Sequence, residues 1–294
     1  MKKCSTVSII GRPSSGKSTL LNTICENKVS ITSPTPQTTR NAIKGIYTDQ
    51  RGQLIFTDTP GFHLSEKAFN LRLQEIAVDS LDDADQILYM IDPTRESGDE
   101  ENRIAFILSN VKCPITVCIN KADAATASQK EAAASFVREK LPNAEILIAS
   151  ALNDEGVDEI LIALFSHASE GELLYAEDQF TDQDLHFRVS EIIREKAMNS
   201  TTEELPHAIY VEVSDLEYDK ENQKVWIRAF INVEHESQKG ILIGKGGANI
   251  KSIRVQAFKE IKRIFPGSRL ELDLRVKTAG SWRQDSRLVK KLTD

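Results

Sequence analysis

No apolar run in this chain approaches the ~20 residues that a membrane-spanning helix requires. The sequence therefore offers no membrane-spanning helix. Signal-peptide features are lacking as well. Met1-Lys2-Lys3-Cys4-Ser5-Thr6 passes straight into a β-rich run, so the expected location is cytoplasmic. Cysteine is scarce, with four in 294 residues. Cys4, Cys25, Cys113 and Cys118 form no CxxC pair and show no metal-like spacing with histidine. A disulfide scaffold and a cysteine-based metal site are excluded on that ground, and the thiols are expected to be reduced and mostly buried. What is present is 40% hydrophobic and 28% charged, the composition of a soluble globular chain long enough for two domains.

The net charge of −7 hides an asymmetry. Residues 1–182 carry 17 basic and 27 acidic side chains, while residues 183–294 carry 20 and 17. Within 239–291 the count is 14 basic against 4 acidic. Halves of opposite sign predict two jobs, and the dense basic segment predicts a polyanionic partner.

Gly11-Arg12-Pro13-Ser14-Ser15-Gly16-Lys17-Ser18 fits G-x-x-x-x-G-K-[ST], the phosphate-binding loop. A short apolar run at 5–10 precedes it, and apolar residues at helical spacing follow at 17–26. Strand, glycine-bounded loop and helix are the context this motif needs. Gly11 and Gly16 let the backbone bend so that successive N–H groups point at phosphate oxygens. The helix that follows presents its positive end to the same phosphates. Lys17 reaches the β- and γ-phosphates, and the Ser18 hydroxyl can bind Mg²⁺.

From residue 5 to about 168 strand-like and helical patterns alternate. Strands are predicted at 5–10, 41–48, 54–58, 86–91, 114–119 and 145–150, with helices at about 17–26, 68–82, 100–110, 128–141 and 155–168. This order predicts an α/β domain with a mostly parallel six-stranded sheet, covered on both faces. Strands 41–48 and 54–58 read as a hairpin, hence one antiparallel edge. Ligands in such sheets bind at the carboxyl ends of strands, and the remaining motifs fall there. Asp58-Thr59-Pro60-Gly61 fits D-x-x-G: the carboxylate can hold Mg²⁺ through water, and the glycine N–H can meet the γ-phosphate. Asn120-Lys121-Ala122-Asp123 fits N-K-x-D. A carboxylate accepts two hydrogen bonds from guanine N1–H and its exocyclic amine, donors that adenine lacks there, so Asp123 selects GTP over ATP. Asn120 can bond the base or brace the loop, and the Lys121 stem can cover the ring. Ser150-Ala151-Leu152 would bring backbone to guanine O6. The Pro- and Thr-rich stretch 31–40 is expected to be mobile until a threonine binds Mg²⁺ and γ-phosphate, which makes a switch.

GRPSSGKS, QTTR, DTPGF, NKAD and SAL stand in this order and spacing, and on them the sequence resembles the translation-factor-like branch of GTPases. That resemblance implies GTP hydrolysis at Lys17, Thr39 and Gly61, with Mg²⁺ held by Ser18, Thr39 and, through water, Asp58. Thr38 is the alternative to Thr39. Ras-like proteins carry a water-orienting glutamine just after DxxG; Phe62 stands there in this chain. Some members use K⁺, held partly by an asparagine at the fourth loop position, where this chain has Ser14.

Residues 171–182 are acidic and aperiodic and are read as a linker between a first domain at 1–170 and a second at 183–294. The second domain is predicted as helix 184–198, strands 207–215 and 224–233, a helix at 241–243, a helix from 248 to about 265, strand 269–276 and a basic helical tail from 282. Gly244-Lys245-Gly246-Gly247 is a GxxG between two helices, with Lys239, Lys245, Lys251 and Arg254 around it. The α-β-β-α-α-β order resembles a type II KH domain, whose GxxG loop clamps a nucleic-acid backbone. A GTPase domain followed by such a domain resembles the Era family of bacterial GTPases, and the match covers nearly the whole chain. The family resemblance implies a GTP/GDP switch that binds 16S rRNA near its 3′ end and acts in 30S subunit maturation. It also implies a monomer that can contact the inner membrane peripherally, although no long amphipathic helix or lipidation motif is present. Two other readings stand beside it. One is an RNA-binding assembly protein with nucleotide binding but negligible hydrolysis. The other, a GTPase of tRNA modification, would want a C-terminal reactive cysteine, and the last cysteine is Cys118.

Overall fold

The computed structural model describes residues 2–65 and 68–293. The chain divides into two compact units. Pro36–Asp182, the chain up to Thr32 and the last residues from Lys291 make the first, and Ser33–Thr35 with Gln183–Lys290 make the second.

In the first unit, strand β1 (Lys3–Gly11) leads through the glycine loop into helix α1 (Lys17–Ile24). Then come β2 (Ile43–Asp49), β3 (Gly52–Asp58), α2 (Ala68–Asp82), β4 (Gln86–Ile91), α3 (Asp99–Leu108), β5 (Ile115–Ile119), α4 (Ala127–Lys140), β6 (Glu145–Ile148) and α5 (Val157–His167). The sheet order is β2-β3-β1-β4-β5-β6, parallel except for β2. Val7, Ile9, Leu88, Tyr89, Val117 and Ile119 are fully buried, as strands covered on both faces require. A seventh strand, β7 (Ser169–Glu170), pairs antiparallel with Lys3 and Cys4 of β1; its two residues are too few to leave a periodic signal. The register sets Ile9 beside Asp58, Gly11 beside Met90, and Ile119 beside both Ile91 and Ile148. The glycine loop, Asp58, Asp92, Asn120 and Ser150 therefore emerge from one sheet edge.

The stretch 171–182, expected as a linker, is instead fixed along this unit. Gly171 N–H donates to Lys2 O, Ile46 N–H to Phe180 O at 2.9 Å, and Thr181 Oγ1 to Lys44 O at 2.8 Å. Leu174 and Tyr175 N–H both reach Gln53 Oε1 at 3.0 Å. Edge strand β2 leaves backbone groups open, and this segment satisfies them.

The second unit runs α6 (Leu185–Asn199), α7 (Leu205–Ala208), β8 (Tyr210–Asp219), β9 (Lys224–Val233), α8 (Glu236–Ile243), α9 (Ala248–Ile264) and β10 (Arg269–Thr278), and ends within α10 (Ser286–Thr293), at Lys290. Its sheet is ordered β10-β9-β8, with β9 parallel to β10 and antiparallel to β8. The expected strand at 207–215 begins later, because Leu205–Ala208 forms the short helix α7 with Pro206 in its first turn. Along β9, Val225, Ile227, Ala229, Ile231 and Val233 alternate into the core. They meet Ile253, Ala257 and Ile261, spaced by four along α9. Lys196 of α6 reaches Glu260 of α9 at 2.5 Å and also pairs with Glu195. Helix does not start at 282 as expected. Trp282 is buried in a single 3₁₀ turn and donates from Nε1 to Ala208 O at 2.8 Å; the helix follows.

Candidate functional site

The glycine loop closes on itself before helix α1 begins. Gly16 is the N-cap in the left-handed region (φ 99°) and offers no side-chain cap, so the first N–H groups of α1 are left for a ligand. Lys17 is buried, and its Nζ donates to Gly11 O at 3.1 Å and Arg12 O at 3.0 Å. Burial pushes its ammonium down to about 8, against the opposing charges of Asp58 and Glu101. A phosphate placed beside it would raise it again.

Ser18 Oγ donates to Asp58 Oδ2 at 2.6 Å and lies 3.0 Å from Thr39 Oγ1. Three separate segments therefore meet at one hydroxyl. Of the two threonines left open, Thr39 is the one brought to Ser18. Asp58 is fully buried, which pushes its carboxyl up, opposed by the Lys17 charge and the Ser18 hydrogen bond. Its Oδ1 is buried and makes no hydrogen bond. Two hydroxyls and an unpartnered carboxylate oxygen are the hard oxygen donors Mg²⁺ takes, so the residues fit that ion. Gly61 packs on the loop: an added Cβ would lie 2.6 Å from Pro13 Cα. Thr59 turns back to donate to Ile9 O at 2.7 Å, and Phe62 is buried in the core.

The NKAD stretch braces the glycine loop. Asn120 Nδ2 donates to Ser15 O at 2.8 Å, and its Oδ1 accepts from Ala151 N–H at 2.9 Å. Asn120 thus makes the brace, and it engages one backbone donor of Ser150-Ala151-Leu152. Ser150 Oγ donates to Asp123 Oδ1 at 2.6 Å. Lys121 Nζ is held by buried Asp92 Oδ2 at 2.6 Å, which orients its stem. Arg12, counted among the nucleotide contacts, turns its guanidinium away to Glu100 at 2.7 Å and Glu101 at 3.6 Å. Sequence reasoning missed Asp92, Glu100, Glu101 and His63. A carboxylate at the end of strand 86–91, parallel to Asp58 after 54–58, was the signal available for Asp92.

In the second unit the GxxG joins α8 to α9. Gly244, Gly246 and Gly247 all have positive φ (72°, 61° and 77°). A Cβ at Gly244 would lie 2.8 Å from Asn249 Cβ, whereas Gly246 and Gly247 face open space. Lys245, Lys251 and Arg254 are exposed, the last two sharing a face of α9. Lys239 lies one turn along α8 from Glu236 and pairs with it at 3.4 Å.

The family model described as a 50S ribosome-binding GTPase matches residues 6–121, and that of the KH domain matches 204–283. GTPase Era of Treponema denticola is 49% identical over 98% of each chain. GTPase Era of Borreliella burgdorferi is 45% identical over 99% of each. A solved structure of Era with MgGDPNP and nucleotides 1506–1542 of 16S ribosomal RNA superposes with a TM-score of 0.93 at 35% identity, covering 99% of this chain and 98% of that one. Aquifex aeolicus Era bound to GDP and AlF4⁻, a tyrosine-to-alanine variant, gives 0.92 at 36%, covering 98% of each.

Proposed function

This chain belongs to the GTPase Era family, and we propose from that premise that it is a GTP-driven switch that grips 16S ribosomal RNA near its 3′ end and acts in maturation of the small ribosomal subunit. One observation carries the switch: Ser18, Asp58 and Thr39, from the glycine loop, the DTPG strand and the 31–40 loop, meet within 3.0 Å. A ligand bound there bears on all three segments at once. The RNA half rests on the open GxxG loop in the basic segment, and on the related Era solved with an RNA of that region. A cytoplasmic location and a monomeric state belong to this proposal on the family resemblance. Among the described residues no helix is long and apolar enough to cross a membrane.

Phosphoryl transfer asks the protein for positioning and charge. Lys17 supplies a cation beside the β- and γ-phosphates, and the N–H groups of the loop and of Gly61 supply donors for oxygens that gain charge. Ser18 and Thr39 would hold Mg²⁺ directly and Asp58 through water. The ion offsets the phosphate charge when bound. Phe62 takes no part in orienting water, because its side chain is buried and its N–H donates to Gly11 O at 3.0 Å. The test measures affinity for a labelled RNA matching the 16S 3′ end, with a GTP analogue, with GDP and without nucleotide, beside phosphate release with and without ribosomal subunits. The RNA affinity is expected to depend on the nucleotide, and Lys17→Ala is expected to lose tight GTP binding and that dependence together. Equal RNA affinity in all three states of the unaltered protein would sink the switch.

A further inference from the structure

The loop after Gly61 is tied down from several sides. Phe62 N–H donates to Gly11 O, and its ring is buried with Ile10 and Tyr89. Gln74 Nε2 of α2 donates to the His63 carbonyl at 2.5 Å. His63 Nδ1 lies 2.5 Å from Glu100 Oε1 of α3. The other oxygen of the same carboxylate, Oε2, accepts from Arg12 Nε at 2.7 Å. Arg12 is held further by Glu96 O at 3.1 Å and by Glu101, itself 1% exposed and accepting from Tyr89 Oη at 2.7 Å. One carboxylate thus joins the glycine loop to the segment two residues beyond Gly61.

The chemistry needs this spacing held. Gly61 packs on Pro13, and its N–H must meet the γ-phosphate while Arg12 O accepts from Lys17 Nζ. With Phe62 buried, no side chain next to Gly61 orients the water, so the rate depends on how firmly the two backbones are placed. A misplacement of about 1 Å can cost ~100-fold in rate. We propose that Glu100 is a positioning residue for hydrolysis, setting the distance between the glycine loop and Gly61 by holding Arg12 and His63 with one carboxylate. This rests on the reading of Gly61 as the γ-phosphate contact. Burial pushes the Glu100 carboxyl up, but His63 and Arg12 outweigh it and keep it below the usual glutamate range, so it is charged at neutral pH.

The test compares single-turnover GTP hydrolysis and GDP affinity in the full chain for Glu100→Ala, Glu100→Gln, His63→Ala and the double Glu100→Ala/His63→Ala. Glu100→Ala is expected to slow hydrolysis about tenfold, the scale of one lost charge-assisted hydrogen bond, with GDP affinity within about twofold of wild type. His63→Ala is expected to slow it similarly, and the double variant no further, because both cut one link. Glu100→Gln keeps an acceptor oxygen and is expected to recover part of the rate. Unchanged hydrolysis, multiplicative effects, or a GDP affinity that falls as far as the rate would each overturn the proposal. Should Glu100→Ala fail to fold by circular dichroism, Glu100→Gln and His63→Ala decide alone. The underlying reading fails separately: Gly61→Ala with hydrolysis intact would remove the γ-phosphate contact, whatever Glu100 does.

Discussion

At Gly16 an added methyl would lie 2.1 Å from Asn120 Nδ2, while at Gly246 and Gly247 it would meet nothing within 4 Å. Yet both loops solve the same problem. Gly16 caps α1 and Gly247 caps α9, each in the left-handed region and each without a side-chain cap. Both leave helix N–H groups free to meet phosphate. The difference lies in what surrounds them. The nucleotide loop is braced by Asn120, and its lysine is buried. The KH loop is shaped by backbone dihedrals, and Lys245 is exposed. A small ligand with one charge distribution rewards a loop built in advance. A long polyanion rewards an open one that its backbone can approach.

The sharpest way to break this contrast is Gly16→Ala. The new Cβ must displace Asn120 Nδ2, which holds Ser15 O, while Asn120 Oδ1 holds Ala151 N–H. The φ of 99° also disfavours alanine. Two buried hydrogen bonds are put at risk. Guanine-nucleotide affinity should fall at least ~100-fold, equivalent to about 2.7 kcal/mol. Titration with fluorescent GDP measures it. An affinity within threefold of wild type would mean that the brace does not shape the loop.

How far each loop could be read in advance follows from the same contrast. Lys17, Ser18, Asp58 and Asp123 sit in motifs whose spacing along the chain is their signal. GxxG with its flanking lysines was legible for the same reason. The braces were not. Asp92 meets Lys121, and Glu100 meets Arg12 and His63, across strand register and helix rotation that no local spacing encodes. Arg12 was counted among the nucleotide contacts from its place in the motif, but only tertiary contacts show its guanidinium turned to α3. The alternating pattern predicted a mostly parallel sheet, which was enough to place the site at the carboxyl ends of its strands. The strap at 171–182 carries no period, because its backbone bonds run to β2 and to the Gln53 side chain.

The next effect falls on the open loop. Replacing Lys245 and Gly246 with Asp adds two negative charges to an exposed position and puts a side chain where a phosphate must approach. RNA affinity should fall at least ~10-fold, about 1.4 kcal/mol. Wild-type binding should weaken with salt at a slope of roughly −0.7 per phosphate neutralised, and the variant's slope should be shallower. Nucleotide affinity should not change, since the glycine loop belongs to the other unit. Anisotropy at several salt concentrations, beside GDP titration, reads both. Unchanged RNA affinity in a folded variant would reduce this GxxG to a turn.

The smallest effect separates shape from space. Gly246→Ala adds one methyl group at φ 61° with no atom within 4 Å. Sterics with the surroundings therefore contribute nothing to its cost. What remains is the left-handed backbone, about 1–2 kcal/mol for an L-residue. Chemical denaturation should show a loss of that size in the second unit, with nucleotide binding untouched. RNA affinity should fall only a few-fold, less than for the double Asp variant, because no charge is added. A loss of stability well above about 2 kcal/mol would mean that the loop is packed, as the nucleotide loop is. No loss of stability together with normal RNA binding would mean that the left-handed turn is not needed to present the backbone. In either case the two loops would no longer differ in the way proposed here, one held by side chains and the other by its own backbone.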